Sequence, residues 1–519
     1  MSKSSEPRND SATFLLTGES IPLAQLALLS KSKVQVGLDP DAVQRMRASR
    51  AAVEEVLARG EAVYGINTGF GKLSEVRIPN EDLVRLQENL VRSHACGLGE
   101  PLPPDEVRVM LLLRANVLAK GLSGARVEVA EALLALLEHD VLPWVPSRGS
   151  VGASGDLSPL AHLALTLLGE GDASWNGKRV PSKDALDEAG LTPLKLSAKE
   201  GLALLNGTQA MTSVGALAME RAWRLVRLAD ISGALTLEAL LGTPTAFDER
   251  IHQARPHPGQ IASAAHLRWL MDDSAIRESH RHGDPRVQDA YCLRCMPQVH
   301  GAVRDTLRHA TTTLEIETGS ATDNPLVLPA GHGFDVFSGG NFHGAPVAAV
   351  MDFAAISLTD LISICERRVD RLINPDVNEG LPPFLTREAG VSSGYMIAHV
   401  TVAALLNESR VLSHPASVDN TPTSGGKEDH VSMGMTSALK LRQIVACAEY
   451  CLAIELMAAA EGVECRAPLQ PSLHLCEVME VVRDTVAPLK EDRVLANDIE
   501  ALAAAIRAGA FDRWLEIYS

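Results

Sequence analysis

Along most of the chain, apolar side chains return every three to four positions, the spacing of a helix with one buried face. The pattern runs from Asp39 to Arg59, from Asn80 to Cys96 and from Pro104 to Glu138. In the second half the segments lengthen. Thr208 to Leu241, Pro346 to Asn374 and Ser432 to Gly462 each lack an interior proline. Val287 to Glu317 is interrupted only at Pro297, which must kink the helix or start a new one. A helix of about 30 residues is about 45 Å long, so these segments suit either a membrane or the centre of a large bundle. Arg221, Arg224, Arg227, Arg367, Arg368, Lys440 and Arg442 lie inside them and speak for the bundle. Apolar positions on more than one face predict subunits packing together. The expected fold is mainly α: a mixed N-terminal domain over residues 1–220, then a bundle of very long helices over residues 221–519.

The interruptions are as informative as the helices. YGINTGFGKL, Tyr64 to Leu73, crowds its glycines and reads as a loop. NGKRV reads as a turn flanked by short strands. SRGSVGASGDLSPLAHLAL, Ser147 to Leu165, thins to nearly bare backbone before Ser158-Pro159, a favourable start for a helix running to about Leu168. Neither GxGxxG nor GxxxxGK[ST] is present there, so a phosphate loop is poorly supported. A flexible surface loop is the plainest reading. A covalent one also fits. An amide nitrogen can attack the carbonyl two residues back only where side chains leave the approach open, as in Ala153-Ser154-Gly155. Closing that five-membered ring and losing the Ser154 hydroxyl as water would leave an exocyclic methylidene, an electrophile made from backbone.

Composition narrows the setting. The chain has 519 residues, 46% apolar, 22% charged and only 4% aromatic, so a large and mostly aliphatic core is expected. A formal charge of −17 argues against a nucleic-acid partner, which needs a basic face. Cys292 and Cys295 form a CxxC without a second pair; reduced thiols suit it better than zinc. His280 to His282, an HRH run, reads as a polar loop rather than a metal site. MSKSSEPRNDSATF lacks the apolar region of a signal peptide, and no apolar run reaches the roughly 18 residues of a membrane span. The expectation is a cytoplasmic protein with no membrane or metal.

GSVGASGDLSPLAH resembles the signature of the aromatic amino acid ammonia-lyases. YGINTGFG, LLNGTQA, QDAYCLR, SATDNPL, GGNFHG and KEDHVSMG resemble further blocks of that family in the same order, so the resemblance covers nearly the whole chain. It implies the fumarase/aspartase-like fold and a homotetramer with shared active sites. It also implies a 4-methylidene-imidazol-5-one formed autocatalytically from Ala153, Ser154 and Gly155, with no metal or dissociable cofactor. The reaction takes ammonia from an α-amino acid and a proton from its β-carbon. It therefore needs an electrophile, a base and a grip on the carboxylate.

Each role falls on a residue. Tyr64 matches the family's base; its phenol, with an ordinary pKa of about 10, would need nearby positive charge or helix N-termini to lower it. Arg294 would hold the substrate carboxylate in a bidentate fork. Gln288 and Tyr291, six and three residues earlier, share its face if the segment is helical. The resemblance gives Tyr291 a part in proton handling and Gln288 a part in positioning the substrate. It has Asn206 bond the electrophile's oxygen and Phe342 wall the pocket.

Two places bear on substrate. Ser93-His94, in VRSHACG, matches the members that act on histidine, and an imidazole there suits a polar ring. Glu428 can pair with a substrate imidazole, although Glu428-Asp429 would also serve as an acidic helix cap. Lys427 departs from the glutamine common at that position. The implied reaction converts L-histidine to trans-urocanate. Two alternatives stand beside it: a lyase or aminomutase for phenylalanine or tyrosine, against which Ser93-His94 and Glu428 argue, and a helical scaffold without chemistry. Against the scaffold stand the intact Ala153-Ser154-Gly155, Tyr64 and Arg294.

Overall fold

A computed structural model describes residues 13–31, 35–60, 63, 65–68 and 77–517. The chain forms two compact units, neither contiguous in sequence. One gathers residues up to 217 with 312–349 and 416–438; the other holds 218–311, 350–415 and 439 onward.

The first unit is mixed. Its helices include Pro40–Arg59, Leu83–His94, Pro104–Ala119, Val127–Glu138 and Leu157–Leu167. Pro40–Arg59 begins where the Asp39 carboxylate accepts from the amides of Asp41 and Ala42. The pattern from Pro104 to Glu138 is two helices, parted by the KGLSGAR turn. Among the described residues every strand lies in this unit, in four small sheets. Asp172–Trp175 and Lys178–Pro181 form the hairpin around Asn176-Gly177. Leu98–Pro101 pairs antiparallel with Pro146–Arg148, Leu98 opposite Arg148. The hairpin Leu326–Pro329 and Phe334–Phe337 explains why a late segment belongs here: Val327 is buried with Val53 and Ile66, and its amide donates to the Leu122 carbonyl at 2.9 Å.

Among its described residues the second unit has helices and connecting loops but no strand; Pro258–Leu270, Met396–Leu412, Leu473–Thr485 and Leu495–Ala508 are among its helices. The long segments appear as Gln209–Ala239, Ala345–Ile373 and Gly434–Glu464, each with residues in both units. Val287 to Glu317 is helical only over Tyr291–Arg294 and Met296–Thr318. Pro297 sits in the first turn of the latter, where a missing N–H costs nothing. Ala345–Ile373 and Gly434–Glu464 are long and apolar enough to cross a membrane, yet 67% and 83% of their most apolar stretches are buried inside the protein.

A buried polar cluster ties the second unit together. The Asp230 carboxylate accepts from Ser263 Oγ (2.6 Å), His266 Nδ1 (3.0 Å), His300 Nδ1 (2.7 Å) and Arg304 Nη2 (2.5 Å). Burial alone would raise this carboxyl, but Arg304 and the two imidazoles outweigh it and hold the group well below the usual range. Arg368 pairs with Glu455 and also donates to His300 Nε2 at 3.2 Å. Asp230→Ala would leave Arg304 buried without its carboxylate. It is expected to cost about 3–5 kcal/mol, read as a lowered denaturant midpoint; an unchanged midpoint would contradict the cluster's role.

Candidate active site

The turn Val151 to Asp156 joins the strand Pro146–Arg148 to the helix Leu157–Leu167. The helix begins before Ser158, not at it. Asp156 precedes it, and its carboxylate does not cap it, being engaged elsewhere. Oδ2 accepts the Met211 amide at 2.7 Å, in the first turn of Gln209–Ala239, and Oδ1 accepts Ser150 Oγ at 3.0 Å. The Asp156 amide donates to the Gly207 carbonyl at 2.7 Å. Gly155 lies against Gly207 so closely that a Cβ there would stand 2.2 Å from the Gly207 oxygen, and its φ is +78°. Only glycine fits. With Ser154 at φ +53°, the backbone is left-handed at two successive residues.

Asp156 is fully buried, and burial raises its carboxyl to about 7 despite the hydrogen bonds it accepts. Between about pH 4 and 7 the folded chain keeps a proton there that the unfolded chain has lost. Stability from this group is therefore full at low pH and is lost as pH rises through that window, at a slope approaching about 1.4 kcal/mol per unit. Asp156→Asn is expected to flatten that slope, read from unfolding midpoints between pH 5 and 8; parallel curves would contradict it.

Asn206 stands between the helix Glu200–Leu205 and Gln209–Ala239. Its Nδ2 donates to the Asn324 carbonyl at 2.8 Å, and its own carbonyl accepts from Arg114. Asn324 Oδ1 accepts the Gly339 amide at 2.7 Å. Next to Asn324, Asp323 Oδ2 accepts from Lys199 Nζ at 2.7 Å, both side chains fully buried. Burial pulls the Lys199 ammonium down, and Asp323 counters it. Burial likewise draws the Arg114 guanidinium to about 10. Two cations in a low-dielectric interior thus lie beside Asn206 and Asp323.

Glu428 faces the turn from the loop before Gly434–Glu464. Its Oε1 accepts from Ser154 Oγ at 3.4 Å; Oε2 accepts from Thr423 Oγ1 (2.8 Å) and Ser424 Oγ (2.6 Å). The Thr423 amide also donates to the Glu428 carbonyl at 2.8 Å, closing the loop on itself. Since the helix starts only at Gly434, this carboxylate is no helix cap. Ala153, Ser154, Asn206, Asn324, Ser338, Gly339, Phe342, His343 and Lys427 to His430 line one cavity of about 340 Å³. The His343 and His430 rings stack in its wall, centroids 5.6 Å apart.

Not every expected residue lines that cavity. Ser93 and His94 end the helix Leu83–His94 in the same unit, with His94 Nδ1 2.8 Å from the Leu90 carbonyl. Gln288, Tyr291 and Arg294 belong to the second unit. Gln288 precedes the short helix Tyr291–Arg294 and does not share its face. Arg294 lies over the Tyr291 ring at 4.6 Å, and its buried Nε has no hydrogen-bond partner among the described residues. Tyr64 lies outside the described residues. The second unit holds a larger apolar cavity of about 570 Å³. Its polar groups are already satisfied: Tyr450 donates to Glu500, Arg493 pairs with Asp498, and Asp492 accepts from Ser393 and Gly394.

The family model of the aromatic amino acid lyases matches residues 21–484. This chain belongs to the aromatic amino acid lyase family. It is 53% identical over 508 residues to the histidine ammonia-lyase of Anaeromyxobacter sp. (strain K), covering 96% of this chain and 99% of that protein. The crystal structure of histidine ammonia-lyase from Trypanosoma cruzi is 41% identical with a TM-score of 0.90, covering 97% of this chain and 95% of that one. Tyrosine aminomutase from Streptomyces globisporus is 37% identical with a TM-score of 0.91, covering 97% and 98%. The fold is therefore the fumarase/aspartase-like fold of these lyases, as expected.

Beyond the residues the sequence singled out, Asn324, His343 and His430 line the cavity, Lys199 and Asp323 pair next to Asn324, and Asp156 anchors the turn that carries Ala153 and Ser154. Asp323 and Asn324 sit inside the quoted block SATDNPL, His343 in GGNFHG beside Phe342, and His430 in KEDHVSMG two positions after Glu428.

Proposed function

We propose that this lyase removes ammonia from L-histidine to give trans-urocanate, as a cytoplasmic homotetramer whose sites are shared between subunits. The observation that carries the substrate is Glu428, its carboxylate fixed through Oε2 by Thr423 and Ser424 and its Oε1 turned to Ser154, whose Oγ donates to it at 3.4 Å. An imidazole N–H satisfies such a group; a phenyl ring would leave it desolvated and unpaired.

The tripeptide fits the electrophile the family uses. The Gly155 amide is flanked by no side chain, Ala153 offers a methyl, and the left-handed backbone at Ser154 and Gly155 folds the segment tightly. Attack of the Gly155 nitrogen on the Ala153 carbonyl expels one water; the Ser154 hydroxyl and α-hydrogen leave as a second. Once formed, that ring supplies an electrophilic methylidene carbon. The other roles belong to side chains. Asn206, held by its bonds to the Asn324 carbonyl and to Arg114, bonds the ring's oxygen. Arg294, with its buried Nε unpartnered among the described residues and its plane set by Tyr291, takes the substrate carboxylate. The Tyr64 phenol oxygen receives the β-proton, Tyr291 assists proton handling, and Gln288 positions the substrate. Phe342 walls the pocket, and Ser93 and His94 favour a polar ring.

The test is product absorbance with L-histidine, L-phenylalanine and L-tyrosine as separate substrates. Urocanate from L-histidine alone is expected; turnover of a phenyl or phenol substrate without turnover of histidine would overturn the reading.

A further inference from the structure

We propose that His162 is a positioning residue for substrate selection: by holding the Gly97 amide, it fixes the segment that carries Ser93 and His94. The assignment rests on the proposed histidine substrate.

Ser93 and His94 end a helix, and a helix end is free to fray unless something beyond it is tied down. Three ties are present here. The Cys96 amide donates to the His94 carbonyl at 2.8 Å, folding the chain back immediately after the histidine. The next amide, of Gly97, donates to His162 Nε2 at 3.0 Å. The next residue, Leu98, opens the strand paired with Arg148. His162 lies on Leu157–Leu167, the helix that issues directly from the Ala153-Ser154-Gly155 turn. One ring nitrogen therefore links the element bearing the reacting serine to the segment bearing the selecting histidine.

The contact is built rather than incidental. A Cβ on Gly97 would stand 3.1 Å from His162 Nε2 and 3.3 Å from the Arg148 carbonyl, so a larger residue would push the ring or the strand back by a few tenths of an ångström. Because Nε2 accepts, the ring is neutral and carries its proton on Nδ1. Burial lowers the imidazole pKa and favours that form. His94 in turn gives its Nδ1 to the Leu90 carbonyl, which leaves Nε2 as the edge for a ligand. Where that edge stands depends on the helix end that His162 secures.

Three full-length variants test this. His162→Phe keeps a ring and removes the acceptor. His162→Gln restores an acceptor at the same reach along the side chain. Gly97→Ala disturbs the contact without touching His162. For His162→Phe, kcat/KM with L-histidine is expected to fall about ten- to a hundredfold. KM should rise and preference for histidine over phenylalanine should narrow, while peptide mass shows the tripeptide condensed as in wild type. His162→Gln should regain most of the loss, and Gly97→Ala should move the same parameters in the same direction as His162→Phe. Unchanged kcat/KM and selectivity in either His162→Phe or Gly97→Ala would overturn the proposal. So would an uncondensed tripeptide in His162→Phe, because His162 would then serve ring formation. A wild-type enzyme inert towards L-histidine would overturn the substrate reading and this assignment with it, before any variant is compared.

Discussion

Ser154→Ala is expected to lower kcat by at least about three orders of magnitude, about 4 kcal/mol of barrier, while leaving the fold intact. The hydroxyl is the group that must leave for the methylidene to form, and alanine has none. The packing change is small. Among the described residues Ser154 Oγ makes one long hydrogen bond, 3.4 Å to Glu428, and both residue types meet the same left-handed strain at φ +53°. Helical circular dichroism and the unfolding midpoint should stay close to wild type. Substantial histidine turnover by that variant would refute the role of Ser154.

Glu428→Gln is expected to reduce kcat/KM for L-histidine by about 30- to 1,000-fold, the equivalent of about 2–4 kcal/mol. The substitution keeps size and shape but replaces one acceptor oxygen with a donor. Thr423 and Ser424 both donate to the present carboxylate, so an amide must turn away one hydroxyl or present its NH2 to the substrate. The loss should appear mainly with histidine, and any residual turnover of phenylalanine should be spared. Equal loss with both substrates would mean that Glu428 serves the chemistry rather than the choice of ring.

Much of the helical architecture was legible because local and global signals agree. The segments without interior proline became helices within a few residues of their expected ends, and Pro297 marks the start of Met296–Thr318. The differences come from tertiary ties. Asp156, not Ser158, precedes Leu157–Leu167, because its carboxylate is committed to Met211 and Ser150. QDAYCLR is helical only in its last four residues, so Gln288 leaves the face expected of it. The gathering of 312–349 with the first unit depends on a hairpin settling against Val53 and Ile66, which periodicity does not report.

The site divides in the same way. Ala153, Ser154, Asn206, Phe342 and Glu428 were visible in their motifs, and the cavity brings all five together. Ser154 and Glu428 are 274 positions apart, and Lys199 and Asp323 are 124 apart. Spacing within a motif cannot show such pairs. The cations Arg114 and Lys199 look in the sequence like ordinary surface charges; only the structure shows them buried, bonded to the Asn206 carbonyl and to Asp323.

Condensation of the main chain at residues 153–155 into the electrophile that deaminates histidine underlies the proposed function. It is tested most directly by mass spectrometry of the peptide spanning those residues, cut from freshly purified protein that turns over L-histidine. The expected peptide is lighter by two waters, with the loss confined to Ala153, Ser154 and Gly155. A peptide of uncondensed mass from fully active protein would contradict it.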